Sequence, residues 1–330
     1  MTPLMLLNYP RIALPAPSSL TALASSTGYA HPSYAASLAD FGTPRLLPRS
    51  GGWVLERDIP HSAARDAMGC YPLFVCQDWD GLEADLEDVR EWICLSMVTD
   101  PFGAYDEECL RRCFGERVAP FKRHFVTALD RPIDAIVSSH HRYYARKALE
   151  RVFVERCAEP ARFLDEWVEL YSHLVARHDV RGIKAFSKSA FAAQFEVPGL
   201  VMMRATHQGT TVGAHLWYQH GSVVYSHLAA VNALGYELMA SYALHWYALQ
   251  TFAGEACWLN LGAGSGTVDH EDGGLTRFKR GWATGTRTAY LCGRIFHQSK
   301  YQAILQAHQN PPSDYFPAYR RGEFALRRET

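Results

Sequence analysis

The residues with the strongest claim to chemistry lie between Leu259 and Trp282. The stretch leaves a strand ending at Trp258-Leu259-Asn260-Leu261 and turns through Gly262, Gly264 and Gly266. It crosses Asp269, His270, Glu271 and Asp272, then closes on Arg277-Phe278-Lys279-Arg280-Gly281-Trp282. Glycine allows backbone conformations and close approaches that other residues refuse. A lysine ammonium beside an aromatic ring after such a turn can be aimed at negative charge developing on a substrate. If the run is extended, Arg277 and Lys279 fall on one side and Phe278 and Arg280 on the other. Asp269 and its acidic neighbours could hold a cationic substrate or deprotonate an amine, or be a solvated loop. His227, beside Tyr225, could face a cleft as a proton acceptor or be a hydrogen-bonded core histidine. His215 is a similar case, and His245 on an apolar helix reads as core.

Other chemistries find little support. No Gly-x-Ser-x-Gly elbow marks a hydrolase nucleophile. Zinc-type ligand spacing is absent, so no metal is expected. Gly262-x-Gly264-x-Gly266 lacks the βαβ context of a dinucleotide fingerprint, with no helix expected after it. The eight cysteines are scattered without a Cys-x-x-Cys pair, as free thiols in a reducing compartment would be. Lys+Arg (33) and Asp+Glu (34) nearly cancel, so no global basic field draws the chain onto DNA. The amino terminus has no basic region ahead of a long apolar stretch, and no apolar run reaches the roughly 18 residues a membrane span needs. The expectation is a soluble, cytoplasmic protein.

At 330 residues the chain suits two domains. The proline-rich start permits short helices at Ser18–Ser25 and Pro32–Phe41. Strands are expected at Gly52–Arg57, Cys70–Cys76, Ile93–Val98 and Phe121–Leu129, with helices at Gly81–Asp88, Tyr105–Phe114, Ile133–Arg151 and Phe163–His178. The second half reads as helix Ser187–Phe195, strands Leu200–Thr206, Thr211–Gln219 and Ser222–Ala229, and a long helix Gly235–Phe252. Strand Ala256–Leu261, strand Thr288–Cys292 and helix Gln298–His308 follow, then a loosely packed polar tail from Pro311. This order is mixed α/β with antiparallel middle strands.

Several residues in this half share a pattern: Gly209 with Val212-Gly213-Ala214, Val224-Tyr225-Ser226-His227-Leu228, Gly235-Tyr236 with Ala240-Ser241, and Asn260-Leu261-Gly262-Ala263-Gly264. Above all, Gly274-Leu275-Thr276-Arg277-Phe278-Lys279-Arg280-Gly281-Trp282 resembles a Gly-Leu-x-x-Phe-Lys-x-Gly-Phe signature, with Trp282 as the final aromatic. Over about residues 165–310 the chain thereby resembles the GNAT superfamily of Gcn5-related N-acyltransferases. Within it the nearest likeness is the FemABX-like and BioF2-like (CelD-type) branch with two GNAT-type domains in tandem. The resemblance implies a divergent GNAT-like domain over residues 1–160 and an acyltransferase domain over 161–330, each a mixed, centrally antiparallel sheet flanked by helices. It implies amide-bond formation between an activated acyl or aminoacyl group and an amine. Lys279 would stabilise the tetrahedral oxyanion with Phe278 as its positioning neighbour; His227, from its place beside Tyr225, is the candidate proton acceptor. Tyr225, Arg277, Asn260, Gly262, Arg280, Trp282 and Asp269 become candidate substrate contacts.

CoA-dependent members of the superfamily carry an Arg/Gln-x-x-Gly-x-Gly/Ala loop that holds the pyrophosphate at a helix N-terminus. Here the corresponding stretch, Ala229 to Glu237, has one glycine and no basic residue. The donor, a co-substrate and not a bound cofactor, is therefore acyl-CoA or, as in FemX-like relatives, aminoacyl-tRNA. Gly235, Tyr236, Arg142, Arg146 and Lys147 are its candidate contacts, and Arg320, Arg321, Arg327 and Arg328 form a second basic group. The acceptor expected is a small-molecule or peptide amine. A catalytically silent GNAT-like domain that binds a metabolite or protein is the competing reading.

Overall fold

The computed structural model describes residues 26–264, 273–308 and 313–324. Asp269 with His270, Glu271 and Asp272, the helix expected at Ser18–Ser25, and Arg327 and Arg328 lie outside the described residues.

The first half runs α1 (Pro32–Ser37), β1 (Thr43–Leu47), β2 (Gly52–Asp58), β3 (Arg65–Gly69), α2 (Asp80–Asp88), β4 (Trp92–Val98), α3 (Glu107–Cys113) and β5 (Arg117–Ala128). Next come α4 (Ile133–Ile136), α5 (Ser139–Leu149) and β6 (Phe153–Arg156). The second half runs α6 (Leu164–His178), α7 (Lys188–Phe195), β7 (Leu200–His207), β8 (Thr210–His220), β9 (Val223–Val231), α8 (Ala233–Glu237) and α9 (Ala240–Phe252). It ends with β10 (Trp258–Ala263), α10 (Gly274–Arg280), β11 (Gly285–Ile295) and α11 (Gln298–His308). Side-chain caps fix several helix starts. Asp106, Ser138, Ser187 and Asn232 each accept a backbone N–H three residues on, satisfying a donor the first turn leaves orphaned.

All eleven strands join one sheet in the order β1-β2-β3-β4-β11-β5-β10-β9-β8-β7-β6. The β3–β4 and β10–β9 pairs are parallel and the others antiparallel, so the sheet is mixed. Strand β11 enters from the end of the chain between β4 and β5, and β6 from the first half closes the far edge against β7. Residue 160 falls between β6, the edge strand of the sheet, and α6.

Two apolar cores sandwich the C-terminal part of this sheet. On one face α6, α7 and α1 bury Trp167, Tyr171, Phe191 and Tyr34 against Ala214, Leu216, Tyr218 and Tyr225. On the other, α5 and α9 bury Ala145, Ala148, Leu244, Ala248 and Phe252 against Val212, Trp217, Val224, Leu259 and Leu261. From Leu216 to Tyr218 the residues of β8 alternate between the two cores, as a strand covered on both faces requires.

Several expected elements are revised. The helix expected at Ile133–Arg151 is two, parted at Val137-Ser138, where Ser138 caps α5. That expected at Gly235–Phe252 is also two, parted where Met239 takes a left-handed conformation (φ 59°). Cys70–Cys76 forms no strand; Pro72 cannot donate to a ladder, and only Phe74 bridges to Thr99. Strands β1, β3 and β6 go unpredicted because they are four or five residues long, and Pro44, Asp66 and Gly69 blur the pattern in the first two. The tail packs: Tyr319 and Arg320 are buried, and the Arg320 guanidinium grips the buried Asp66 carboxylate. Arg320 is thus committed to the interior and is removed from the basic group expected at the surface.

Candidate functional site: a fork between two strands

Strands β9 and β10 pair through three rungs, Val223–Trp258, Val224–Leu259 and Tyr225–Asn260, and then part. Both strands carry an irregularity at the parting. In β10 the register against β5 shifts between Asn260 and Gly262. Gly262 sits at φ 76°, a left-handed conformation that a side chain disfavours, and its N–H donates to the Asn260 Oδ1 (2.9 Å). In β9 the register against β8 slips so that His227 is an extra residue between Ser226 and Leu228. Beyond the last rung β9 runs on through Ser226, His227, Leu228 and Ala229, all partly exposed, with no β10 partner. The paired bulges part the two strands in the middle of the sheet.

Lys279 projects from α10 into the mouth of this fork. Its ammonium donates to the Ala263 carbonyl (2.7 Å), and a Cβ on Gly262 would lie 3.2 Å from Nζ. Burial lowers its pKa from 10.5 to about 8, which leaves a cation at neutral pH with a weakened hold on its proton. The signature run forms a helix over Gly274–Arg280, not the extended segment read from sequence. A helix does follow the glycine turn. Its rotation separates Arg277, exposed, from Lys279, and turns Thr276 inward with Lys279 as an i, i+3 pair.

A clasp holds α10 in place. His141 on α5 meets the Phe278 carbonyl through Nε2 (2.9 Å) and Ser138 Oγ through Nδ1 (2.9 Å), while the Ser138 N–H donates to the Gly281 carbonyl (3.0 Å). A Cβ at Gly281 would stand 2.0 Å from the His141 ring, so the signature glycine is there for close approach. Phe278 packs edge-on against His245 (4.8 Å) and Tyr242 (5.0 Å), and Trp282, 1% exposed, stacks on His245 at 5.5 Å. Burial pulls the His245 pKa down to about 4, so a neutral imidazole lines the floor.

The sequence candidates sort into two groups. Lys279, Phe278, Trp282, Gly262 and Asn260 meet at the fork. Asn260 braces the bulge, bonding both the Gly262 N–H and His124 Nδ1 (3.0 Å). Arg277 and Arg280 are exposed on α10. His227 and Tyr225 face the opposite core. His227 sits among Tyr29, Tyr34, Tyr218 and Phe186, with Nδ1 on the Tyr29 hydroxyl (3.1 Å) and Nε2 on Gln194 Oε1 (3.2 Å). Burial drops its pKa to about 3, and with both nitrogens engaged it is not placed to accept a proton from a substrate beside Lys279. The Tyr225 hydroxyl donates to Asp100 (2.7 Å), whose pKa burial raises to about 6.

Gly235 belongs to packing: a Cβ there would lie 2.1 Å from the Val212 carbonyl oxygen, and its N–H is taken by Asn232 Oδ1 (2.8 Å). Tyr236 stacks under the Arg177 guanidinium at 4.0 Å. Arg146 and Lys147 point outward from α5, whose inner face (His141, Ala145, Ala148) lies on α9; Arg142 donates to the Asp134 carbonyl. Sequence reasoning missed His141, Ser138 and Asp100, each meaningful only through a partner more than a hundred residues away. Among the described residues no group of three His, Cys, Asp or Glu side chains could hold a metal ion, and no helix is long and apolar enough to cross a membrane.

Residues 137–280 match the family model described as an acetyltransferase (GNAT) domain. No curated protein sequence matches the chain. Among solved structures it is similar to FemX, with TM-score 0.64 and 14% identity over 89% of this chain and 99% of that one. The C-terminal domain of a putative lysylphosphatidylglycerol synthetase from Agrobacterium fabrum follows, with TM-score 0.55 and 13% identity over 83% of this chain and 90% of that one. L-PGS from Bacillus licheniformis aligns with TM-score 0.52 and 13% identity over 85% and 96% of the two chains. The chain thus carries a GNAT domain over residues 137–280, and it shares the fold of FemX along nearly its whole length.

Proposed function

We propose that this protein forms an amide bond at the β9–β10 fork, transferring an aminoacyl or acyl group from an activated ester or thioester to an amine. The observation that carries the reading is the Lys279 ammonium, held at the mouth of the fork beside the Gly262 bulge. The amine nitrogen attacks the acyl carbon and the C–N bond forms as the carbonyl electrons move onto oxygen. The oxyanion is met by Lys279, the C–O or C–S bond breaks, and the amine's surplus proton leaves with the departing group or to solvent. Partial burial strengthens the attraction between cation and oxyanion.

An aminoacyl-tRNA donor is favoured over CoA. The helix that follows β9 is five residues long, Asn232 already occupies the Gly235 N–H, and no basic residue stands between Ala229 and Glu237. Arg142, Arg146 and Lys147 on α5 are the candidate phosphate contacts, on the Lys279 side of the sheet. The donor is a co-substrate, no tightly held cofactor is needed, the acceptor is a small-molecule or peptide amine, and a charged-tRNA donor places the reaction in the cytoplasm. Against a silent domain, the hydrogen-bond partner of Lys279 among the described residues is a carbonyl and not a carboxylate. The test is a mass-spectrometric screen of charged tRNAs and acyl-CoAs against an amine panel, run on wild type and Lys279→Met. Product from aminoacyl-tRNA that disappears in the variant is expected. Equal product from both proteins would refute the role of Lys279.

A further inference from the structure

Ser226 is the first residue of β9 beyond the last rung of the fork, and it is partly exposed there. The extra residue at His227 sets the register so that Ser226 pairs with Trp217, on the face that carries Phe278, His245 and Lys279. His215 lies on the same face, fully buried, with its ring 4.0 Å from Trp217 and 4.8 Å from His245. Its Nε2 is 2.8 Å from Ser226 Oγ, and its Nδ1 is buried without a hydrogen-bond partner among the described residues.

The orphan nitrogen decides where the protons are. Burial above all, with the Lys279 ammonium nearby, holds the ring neutral, so one nitrogen carries hydrogen and the other is bare. A buried N–H without an acceptor is rarer in native proteins than an unused acceptor. The hydrogen therefore belongs on Nε2, where it donates to Ser226 Oγ. With its oxygen accepting from His215, the Ser226 hydroxyl hydrogen is left to point into the fork.

We propose that Ser226, oriented by His215, is a second donor to the oxyanion, acting together with the Lys279 ammonium. The inference rests on the amide-forming reading of the fork. Ser226 would touch the reacting carbonyl oxygen; His215 is a positioning residue that fixes which way the hydroxyl donates. No bond to Ser226 forms at any stage.

Two measurements test it. Nitrogen-15 NMR of the imidazoles in the whole protein should show His215 protonated at Nε2 and bare at Nδ1. With the donor–acceptor pair found by the screen above, Ser226→Ala should lower kcat about tenfold to a hundredfold with KM little changed. Ser226→Thr should restore most of it, and His215→Gln, which keeps an N–H donor, should do better than His215→Phe. An N–H at Nδ1, or Ser226→Ala turning over at the wild-type kcat, overturns the inference. If Lys279→Met keeps full activity, the amide-forming role of the fork lysine fails, whatever Ser226 does. If Lys279→Met is inactive and Ser226→Ala is not, only the role of Ser226 falls.

Discussion

Strand β9 presents neighbouring polar residues to two different worlds. On one face His227 is enclosed by aromatic rings with both nitrogens hydrogen-bonded, and the Tyr225 hydroxyl is bound to Asp100. On the other, Ser226 meets a histidine with one unpartnered nitrogen, and beyond it Lys279 holds a charge in partly buried surroundings. On the first face both His227 nitrogens and the Tyr225 hydroxyl are spent on neighbouring groups. The second leaves hydrogen-bonding capacity open toward the fork, as a site that must accept a substrate does. Burial alone cannot tell the two apart, because histidines on both faces are strongly depressed in pKa. What separates the two histidines is whether both ring nitrogens have partners among the described residues: those of His227 do, and His215 Nδ1 does not.

Changes on the fork face should strike turnover, and changes on the enclosed face should strike stability. The largest effect is expected from Lys279→Met, with kcat down about a hundredfold to a thousandfold in single-turnover assays while donor binding persists. Next is Gly281→Ala, whose new methyl collides with His141 and pushes α10 off its clasp. About 1–3 kcal/mol of stability should be lost in chemical denaturation, and kcat should fall about tenfold or more as the ammonium is displaced. Third is pH. Because Lys279 titrates near pH 8, kcat should decline above that point, about tenfold per unit once the ammonium is the minority form.

Stability runs the other way. Between pH 8 and 10.5 the unfolded chain binds the lysine proton more tightly than the folded one, so stability rises with pH through that window, by up to about 3 kcal/mol. Melting curves of wild type and Lys279→Met should converge as pH rises; parallel curves would mean the lysine is not desolvated. The smallest effect on turnover is expected from His227→Phe. It strands the Tyr29 hydroxyl and Gln194 amide, lowering stability about 1–3 kcal/mol, with kcat within about twofold of wild type. A large loss of kcat in a folded His227→Phe protein would erase the distinction between the faces.

Much of the second half was legible because strand alternation and helical periodicity agreed with the tertiary structure, as at β7–β8–β9 and α6. Lys279 and Phe278 were legible through a local run of residues. Less visible was everything set by partners distant in sequence. The glycine at 281 is explained only by His141, and the tail only by Asp66 beneath Arg320. The helix over Gly274–Arg280 escaped because seven residues with a glycine start and no side-chain cap carry little local signal. His227 was preferred over His215 because both sit in apolar strands, and only the register slip at His227 assigns them to different faces.

The placement of β11 bears on how the chain is made. Strands β4 and β5 are synthesised more than 150 residues before the strand that must lie between them. As translation proceeds from the amino end, the first half emerges with a gap in its sheet and two strand edges unpaired. It cannot close until residues 285–295 leave the ribosome. Folding is therefore expected to finish late and to depend on long-range pairing, which is slow, and a ribosome stalled before residue 285 would hold an unfinished sheet whose exposed edges are ready ligands for a chaperone.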